Sequence, residues 1–299
     1  MDEKKTCHIK GIISYIFLNT KIVFYNILYK LTSSSVFIAI NGMLVVVFSS
    51  YLYSIEIKYE ILGMAFLVTF LAYYLNKITD KVEDSINNPR ICSERDESHR
   101  FGLLFGFLFF SCLCIYTNFD TLVISSISII VSVLYSFKFT SVFPRLKEII
   151  GIKSILVASS WAFTGTLLPI GGQSLNGILV VLVFLYIFIQ LLVNTIICDI
   201  RDVEGDIVSG VRTIPIVLGI NTTKNLLFCV NSLLIPWLLF CQVNEYFVNY
   251  LPVLWGGLFY GYLIIVAFSN TTQDRLTVEF FVDGEWIPIV LVMALLGRN

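Results

Sequence analysis

The sequence predicts an all-α integral membrane protein, with nine transmembrane helices in one polytopic bundle. Three observations lead there. Hydrophobic residues make up 57% of the 299 and charged residues only 14%, with a mean hydropathy of +0.84, far from the balance of a water-soluble chain. Apolar blocks long enough to cross a hydrocarbon layer of about 30 Å recur from end to end. They are continuously apolar, which suits helices; a barrel strand would show about ten residues of alternating character. Finally, the basic residues sort by side, as set out below.

In chain order, residues 1–33 are mixed and Lys-bearing, and SYIFLNTKIVFYNILYKL has the character of an amphipathic interfacial helix rather than of a cleavable leader. We read 1–33 as a cytoplasmic or interfacial segment and 34–299 as the polytopic domain. The first two spans, near 35–54 and 61–76, are separated by a short stretch containing Lys58. The second runs into NKITDKVED, and the charged RICSERDESHR precedes the third, near 101–117. The fourth (121–137) leads to a basic loop, and the fifth (153–170) and sixth (177–198) follow it. After the acidic stretch CDIRDVEGDIVSGVRTIPIVLG come the seventh (225–242) and eighth (248–268). The ninth, near 283–297, is interrupted by Pro288, with Asp283 and Glu285 placed to cap it, where acids meet the positive end of a helix dipole.

With a cytoplasmic N-terminus, the cytoplasmic segments of this arrangement hold 18 of the 20 Lys and Arg residues, and the opposite face holds only Lys58 and Arg298. That is the positive-inside asymmetry. It puts both acidic stretches on the cytoplasmic side.

Those stretches carry the chemistry. Asn76, Asp80 and Asp84 are spaced by four, so a helix would hold them within roughly 80° of arc. Asp199, Asp202 and Asp206 follow a three-then-four spacing with the same result. A single ridge of this kind reads most simply as solvated acids at a helix end. Two ridges on one face of a membrane protein would repel each other in a partly desolvated site unless cations lay between them. Mg²⁺ suits hard oxygen ligands and leaves positions for substrate phosphate. Lys77, Lys81, Lys138, Arg145, Lys147, Lys153, Arg201 and Arg212 lie close enough in sequence to engage a diphosphate directly.

Other chemistries find little footing. A net charge of -1 and the lack of a basic patch interleaved with aromatics give no sign of a nucleic-acid partner. The seven cysteines are odd in number and scattered, without metal-ligand spacing. A transporter would place its polar groups near the bilayer midplane, whereas these acids sit at span ends.

DIRDVEGDIVSGVRTIPIVLG is similar to the second aspartate-rich motif of the UbiA superfamily of intramembrane prenyltransferases, including its trailing G-x-R-T-x-P pattern. NKITDKVEDSINNP resembles the first motif of that family, and YSFKFTSVFPRLKEIIGIKSILVASSWAF resembles its stretch after the fourth helix. The resemblance runs from about Leu62 to Gly219. It implies a nine-helix bundle around a central cavity open to lipid, in which Asn76, Asp80, Asp84, Asp199, Asp202 and Asp206 hold Mg²⁺ and the diphosphate of an isoprenyl diphosphate. By the same carry-over Tyr135 and Lys147, or Lys138, contact the diphosphate. Two departures leave the acceptor unspecified: Lys77 stands where quinone-pathway members carry Asp, and Arg90 is alone where they carry an Arg-Pro-rich stretch.

The implied function is Mg²⁺-dependent transfer of an isoprenyl group from its diphosphate to a lipophilic acceptor. Asp80, Asp202, Lys147 and Tyr135 are the expected catalytic groups, and Asn76, Arg201, Arg212, Lys138 and Lys153 the diphosphate-binding ones. Leaving-group charge needs Mg²⁺ and Lys or Arg, and the allylic cation needs an aromatic-lined pocket, for which Phe70, Tyr73, Tyr74 and Trp161 are candidates. The alternative is a terpene cyclase on the same scaffold, in which the substrate's own double bonds capture the cation.

Overall fold

The computed structural model of the protein describes residues 23, 27, 29–31, 35–80, 85–87, 98–138, 145–270 and 275–297. All its regular elements are helices. Most of the expected N-terminal segment, together with Lys81, Asp84 and Arg90, lies outside the described residues.

Helix α1 (Val36–Tyr53) ends where Ser54 turns left-handed at φ 55°, and α2 (Tyr59–Thr79) packs against it. Gly42 allows their close approach, because a β-carbon there would land on the Thr69 side chain. Helices α3 (Ser98–Tyr116) and α4 (Phe119–Ser136) pack on α2. Asn118 caps α4 by accepting from the Thr121 amide at 3.0 Å. Helix α5 (Ile152–Leu167) lies along α6 (Gly177–Arg201), which starts at the cap formed by Asn176. Short helices α7 (Val203–Ser209) and α8 (Ile214–Leu218) follow.

The expected seventh span is two helices, α9 (Ile220–Ser232) and α10 (Leu234–Val243), which meet at Leu233; Pro236, lacking an amide hydrogen, sits in the first turn of α10. Helix α11 (Leu251–Phe268) leads to α12 (Arg275–Val278), a π-turn (Glu279–Asp283) and α13 (Trp286–Leu296). Pro288 does not interrupt this last helix, because it falls in the first turn, where a missing N–H is tolerated. Glu285 precedes it without making a side-chain cap, contrary to expectation.

Among the described residues six stretches are long and apolar enough to cross a membrane: Val36–Tyr53, Tyr59–Thr79, Phe119–Ser136, Gly177–Arg201, Ile220–Val243 and Val248–Phe268. The protein is therefore a multi-pass membrane protein. The helices divide their length between two environments. Phe48, Leu182, Tyr186, Trp237, Leu254, Trp286 and Met293 belong to one large apolar cluster. The opposite ends of α1, α2, α5 and α6 line a polar cavity.

Gly257 of α11 sets the depth of the cluster. A β-carbon there would collide with the Tyr186 hydroxyl, which donates to the Leu254 carbonyl at 3.1 Å. Gly257→Val is expected to lower thermal stability in detergent by about 1–3 kcal/mol through overpacking. An unchanged melting temperature would show that α6 and α11 are not in tight contact there.

Candidate active site

The first acidic ridge ends α2. Asn76 occupies its last turn, and Asp80 is the C-terminal cap, with its amide donating to the Asn76 carbonyl at 3.0 Å. The side chain of Asp80 is buried against Lys147, whose ammonium donates to it, and Arg145 lies 3.6 Å away. Lys147 is fully buried in a 3₁₀ turn (Leu146–Glu148) that is braced by an Arg145–Glu148 ion pair of 2.7 Å.

The second motif departs from the expected single stripe. Helix α6 stops at Arg201, Asp202 adopts φ -96° and ψ 11°, and α7 begins at Val203. Asp199 thus belongs to the spanning helix and Asp206 to the short one. Lys153 of α5 joins them, lying 3.0 Å from Asp199 and 2.8 and 2.9 Å from the two carboxylate oxygens of Asp206. Burial pushes the Asp206 carboxyl up to about 7; Lys153 pulls it down, and Asp199 pushes it further up. Gly210, at φ 76°, ends α7 in the left-handed region, and the Val211 amide then donates to the Asp206 carbonyl at 2.9 Å.

Arg201 grips Asp202 with two bonds of 3.0 and 2.7 Å, and Arg275 of α12 adds a third at 3.2 Å. Burial alone would raise the Asp202 carboxyl; the two guanidiniums outweigh it and hold the group well below the usual carboxylate range. Asn87 ties the same region together: it accepts from the Gly205 amide at 3.0 Å, and its carbonyl accepts from Arg275 at 3.2 Å.

These groups surround a cavity of about 270 Å³. Of the expected site residues, Asn76, Asp80, Tyr135, Lys153, Asp199, Arg201, Asp202 and Asp206 line it. Lys147 stands behind Asp80 and reaches the cavity only through it. Lys138 and Arg212 are exposed and do not line it. Tyr73 and Trp161 form its aromatic wall, with the indole N–H donating to the Tyr73 hydroxyl at 3.2 Å. Phe70 and Tyr74 stack on each other elsewhere.

Sequence reasoning missed Arg275 and Glu279 and saw in Asp283 only a helix cap; all three line the cavity. Their spacing of four, equal to that of the first acidic ridge, is the signal that could have marked them. Asp283 faces the cavity and accepts from the Cys198 thiol at 3.6 Å, so it does not serve as a helix cap.

The donor set fits Mg²⁺ in kind. Every acidic or amide ligand candidate is oxygen-bearing, and Asn76 Oδ1 is buried without a hydrogen-bond partner. Among the described residues no three His, Cys, Asp or Glu side chains converge on one point, since Lys and Arg lie between the carboxylates.

A profile of the UbiA prenyltransferase family matches residues 59–284. Two curated relatives are named digeranylgeranylglyceryl phosphate synthase. That of Natronomonas pharaonis is 30% identical over 159 residues, covering 51% of this chain and 54% of the relative. That of Haloquadratum walsbyi is 27% identical over 175 residues, covering 55% and 58%. The match thus spans little more than half of each relative. Among solved structures, a UbiA homologue from Archaeoglobus fulgidus bound to DMAPP and Mg²⁺ superposes with a TM-score of 0.65 at 14% identity, over 88% of this chain and 98% of the other. A digeranylgeranylglyceryl phosphate synthase structure gives 0.53 at 17% identity, over 88% and 95%. At these identities the likeness is one of fold.

Proposed function

The chain belongs to the UbiA prenyltransferase family, and we propose from that premise that it transfers an isoprenyl group from an isoprenyl diphosphate to a lipophilic acceptor in a Mg²⁺-dependent reaction. One observation carries the reading: both acidic motifs, from helices distant in sequence, reach one cavity together with cations from α5, α6 and α12. Asn76, Asp80, Asp199, Asp202 and Asp206, with Asp84, would hold Mg²⁺, which supplies positive charge to the departing diphosphate.

The chain's own residues complete the site. Lys153 and Arg201 exchange carboxylate for phosphate oxygens, which suits ammonium and guanidinium groups already lining the cavity. Tyr135 donates its hydroxyl from the α4 wall. Lys147 holds Asp80 in place. Tyr73 and Trp161 shield the allylic centre from water and present ring faces to its positive charge.

The names of the two curated relatives favour a glyceryl phosphate lipid as acceptor. The distribution of Lys and Arg supports nine spans, a cytoplasmic N-terminus and both motifs on the cytoplasmic side.

The test uses the purified, detergent-solubilised protein with geranylgeranyl diphosphate and Mg²⁺, with and without geranylgeranylglyceryl phosphate or a membrane lipid extract. Acceptor-dependent diphosphate release that stops on chelation is expected. A cyclic hydrocarbon formed without acceptor would overturn transfer in favour of cyclisation.

A further inference from the structure

The acids lining the cavity differ in one respect. Asp80, Asp199, Asp202, Asp206 and Glu279 each pair with a Lys or Arg. Asp283 makes no ion pair among the described residues, and its one hydrogen bond comes from a thiol, a weak donor. A carboxylate so placed keeps its capacity to accept a stronger hydrogen bond.

Its position is fixed by two unrelated contacts. Asp283 closes the π-turn Glu279–Asp283, a rare geometry that often accompanies functional sites. Asn194 donates to the Val282 carbonyl at 2.6 Å, and the Tyr260 hydroxyl donates to the Phe281 carbonyl at 2.6 Å. The turn is therefore held from α6 and from α11 at once.

Its depth follows from helix geometry. Asp283 meets α6 at Cys198, four residues before Asp202, which is about 6 Å further into the bundle. A diphosphate held at the level of Asp202 places the first carbon of its chain about one turn deeper, at the level of Asp283 and the Tyr73–Trp161 wall.

We propose that Asp283 receives the hydroxyl group of the acceptor and takes its proton during transfer. This rests on the transfer reading above. The acceptor oxygen bonds to the first carbon of the isoprenyl chain, the bond from that carbon to the diphosphate oxygen breaks with its electron pair leaving on the diphosphate, and the hydroxyl proton passes to Asp283.

The experiment compares wild type, Asp283→Asn and Asp283→Glu with geranylgeranyl diphosphate, Mg²⁺ and geranylgeranylglyceryl phosphate. It measures kcat and KM for transfer, and separately the binding of geranylgeranyl thiodiphosphate, an unreactive donor analogue. Asp283→Asn is expected to lose about 100-fold in kcat while binding the analogue within about twofold of wild type, as loss of a general base predicts. Asp283→Glu, which keeps the carboxylate, is expected to recover part of that loss. Unchanged kcat in Asp283→Asn would overturn the assignment, as would loss of analogue binding in step with kcat in both variants, which marks a structural role. A wild-type enzyme that forms cyclic hydrocarbon without acceptor would instead remove the transfer reading, whatever Asp283 does.

Discussion

Asp202→Asn is expected to reduce consumption of isoprenyl diphosphate by about 1,000-fold, the scale set by deleting one preorganised electrostatic group at a reacting centre. The carboxylate of Asp202 is where the charges of the site meet: Arg201 binds it through two bonds and Arg275 through a third. Asparagine keeps the shape and can still accept from one guanidinium, so the fold should survive. What disappears is the negative charge that would hold a divalent cation against the diphosphate and keep two guanidiniums turned inward. Single-turnover kinetics with saturating donor, together with an Mg²⁺ titration, measure the effect. Wild-type rates in this variant would show that the second motif does not engage the leaving group.

Lys153→Met should produce the largest loss of stability. Its ammonium lies between Asp199 and Asp206, whose side chains are 4% and 2% exposed. Methionine has similar bulk and no charge, so two buried carboxylates would face each other uncompensated, at a cost of about 3–5 kcal/mol. The sign of the pH dependence follows from Asp206, whose folded-state pKa of about 7 already lies above its ordinary value of 3.8. A raised carboxyl binds its proton more tightly in the folded state, so stability falls as pH rises from the unfolded value through the folded one. Losing the lysine raises the folded value further. The penalty should therefore be small at pH 5 and grow as pH rises above about 7, and Mg²⁺ should restore more of the melting temperature in this variant than in wild type. Equal sensitivity to Mg²⁺ in the two proteins would argue against a cation site between Asp199 and Asp206.

The apolar runs locate the helices well because crossing a membrane constrains length and composition at every position. The run at 177–198 becomes Gly177–Arg201, and the run at 35–54 becomes Val36–Tyr53. Breaks inside a run are harder to read. Spacings of three and four fit a straight helix and a helix reset at Asp202 equally well, and only the chain's later path decides between them. Lys138 and Lys147 share one basic loop, and nothing in their composition separates them; the 3₁₀ turn buries the second and leaves the first in the open. Arg275 and Glu279 carry no local signal beyond their spacing, and Asp283 looks only like a helix cap, because the partners of Arg275 and Asp283, Asp202 and Cys198, lie about 75 to 85 residues earlier. That meeting is set by the return of α11 across the bundle, a long-range event with no local signature.

The division of α1 and α6 between a charged end and an apolar end has an electrical consequence. A hollow of about 270 Å³ lined with carboxylates and guanidiniums, set into a bilayer, is halfway to being an ion conductor. The remaining half is filled by rings: Phe48 stacks on Tyr186 at 5.5 Å and meets Trp286 edge-on at 5.0 Å, while Trp237 lies 5.1 Å from Tyr186. An ion attempting that route would leave its partners for a region with almost nothing to solvate it. Closed by rings at that end, the bundle offers a charged group partners in the cavity and none through the apolar cluster.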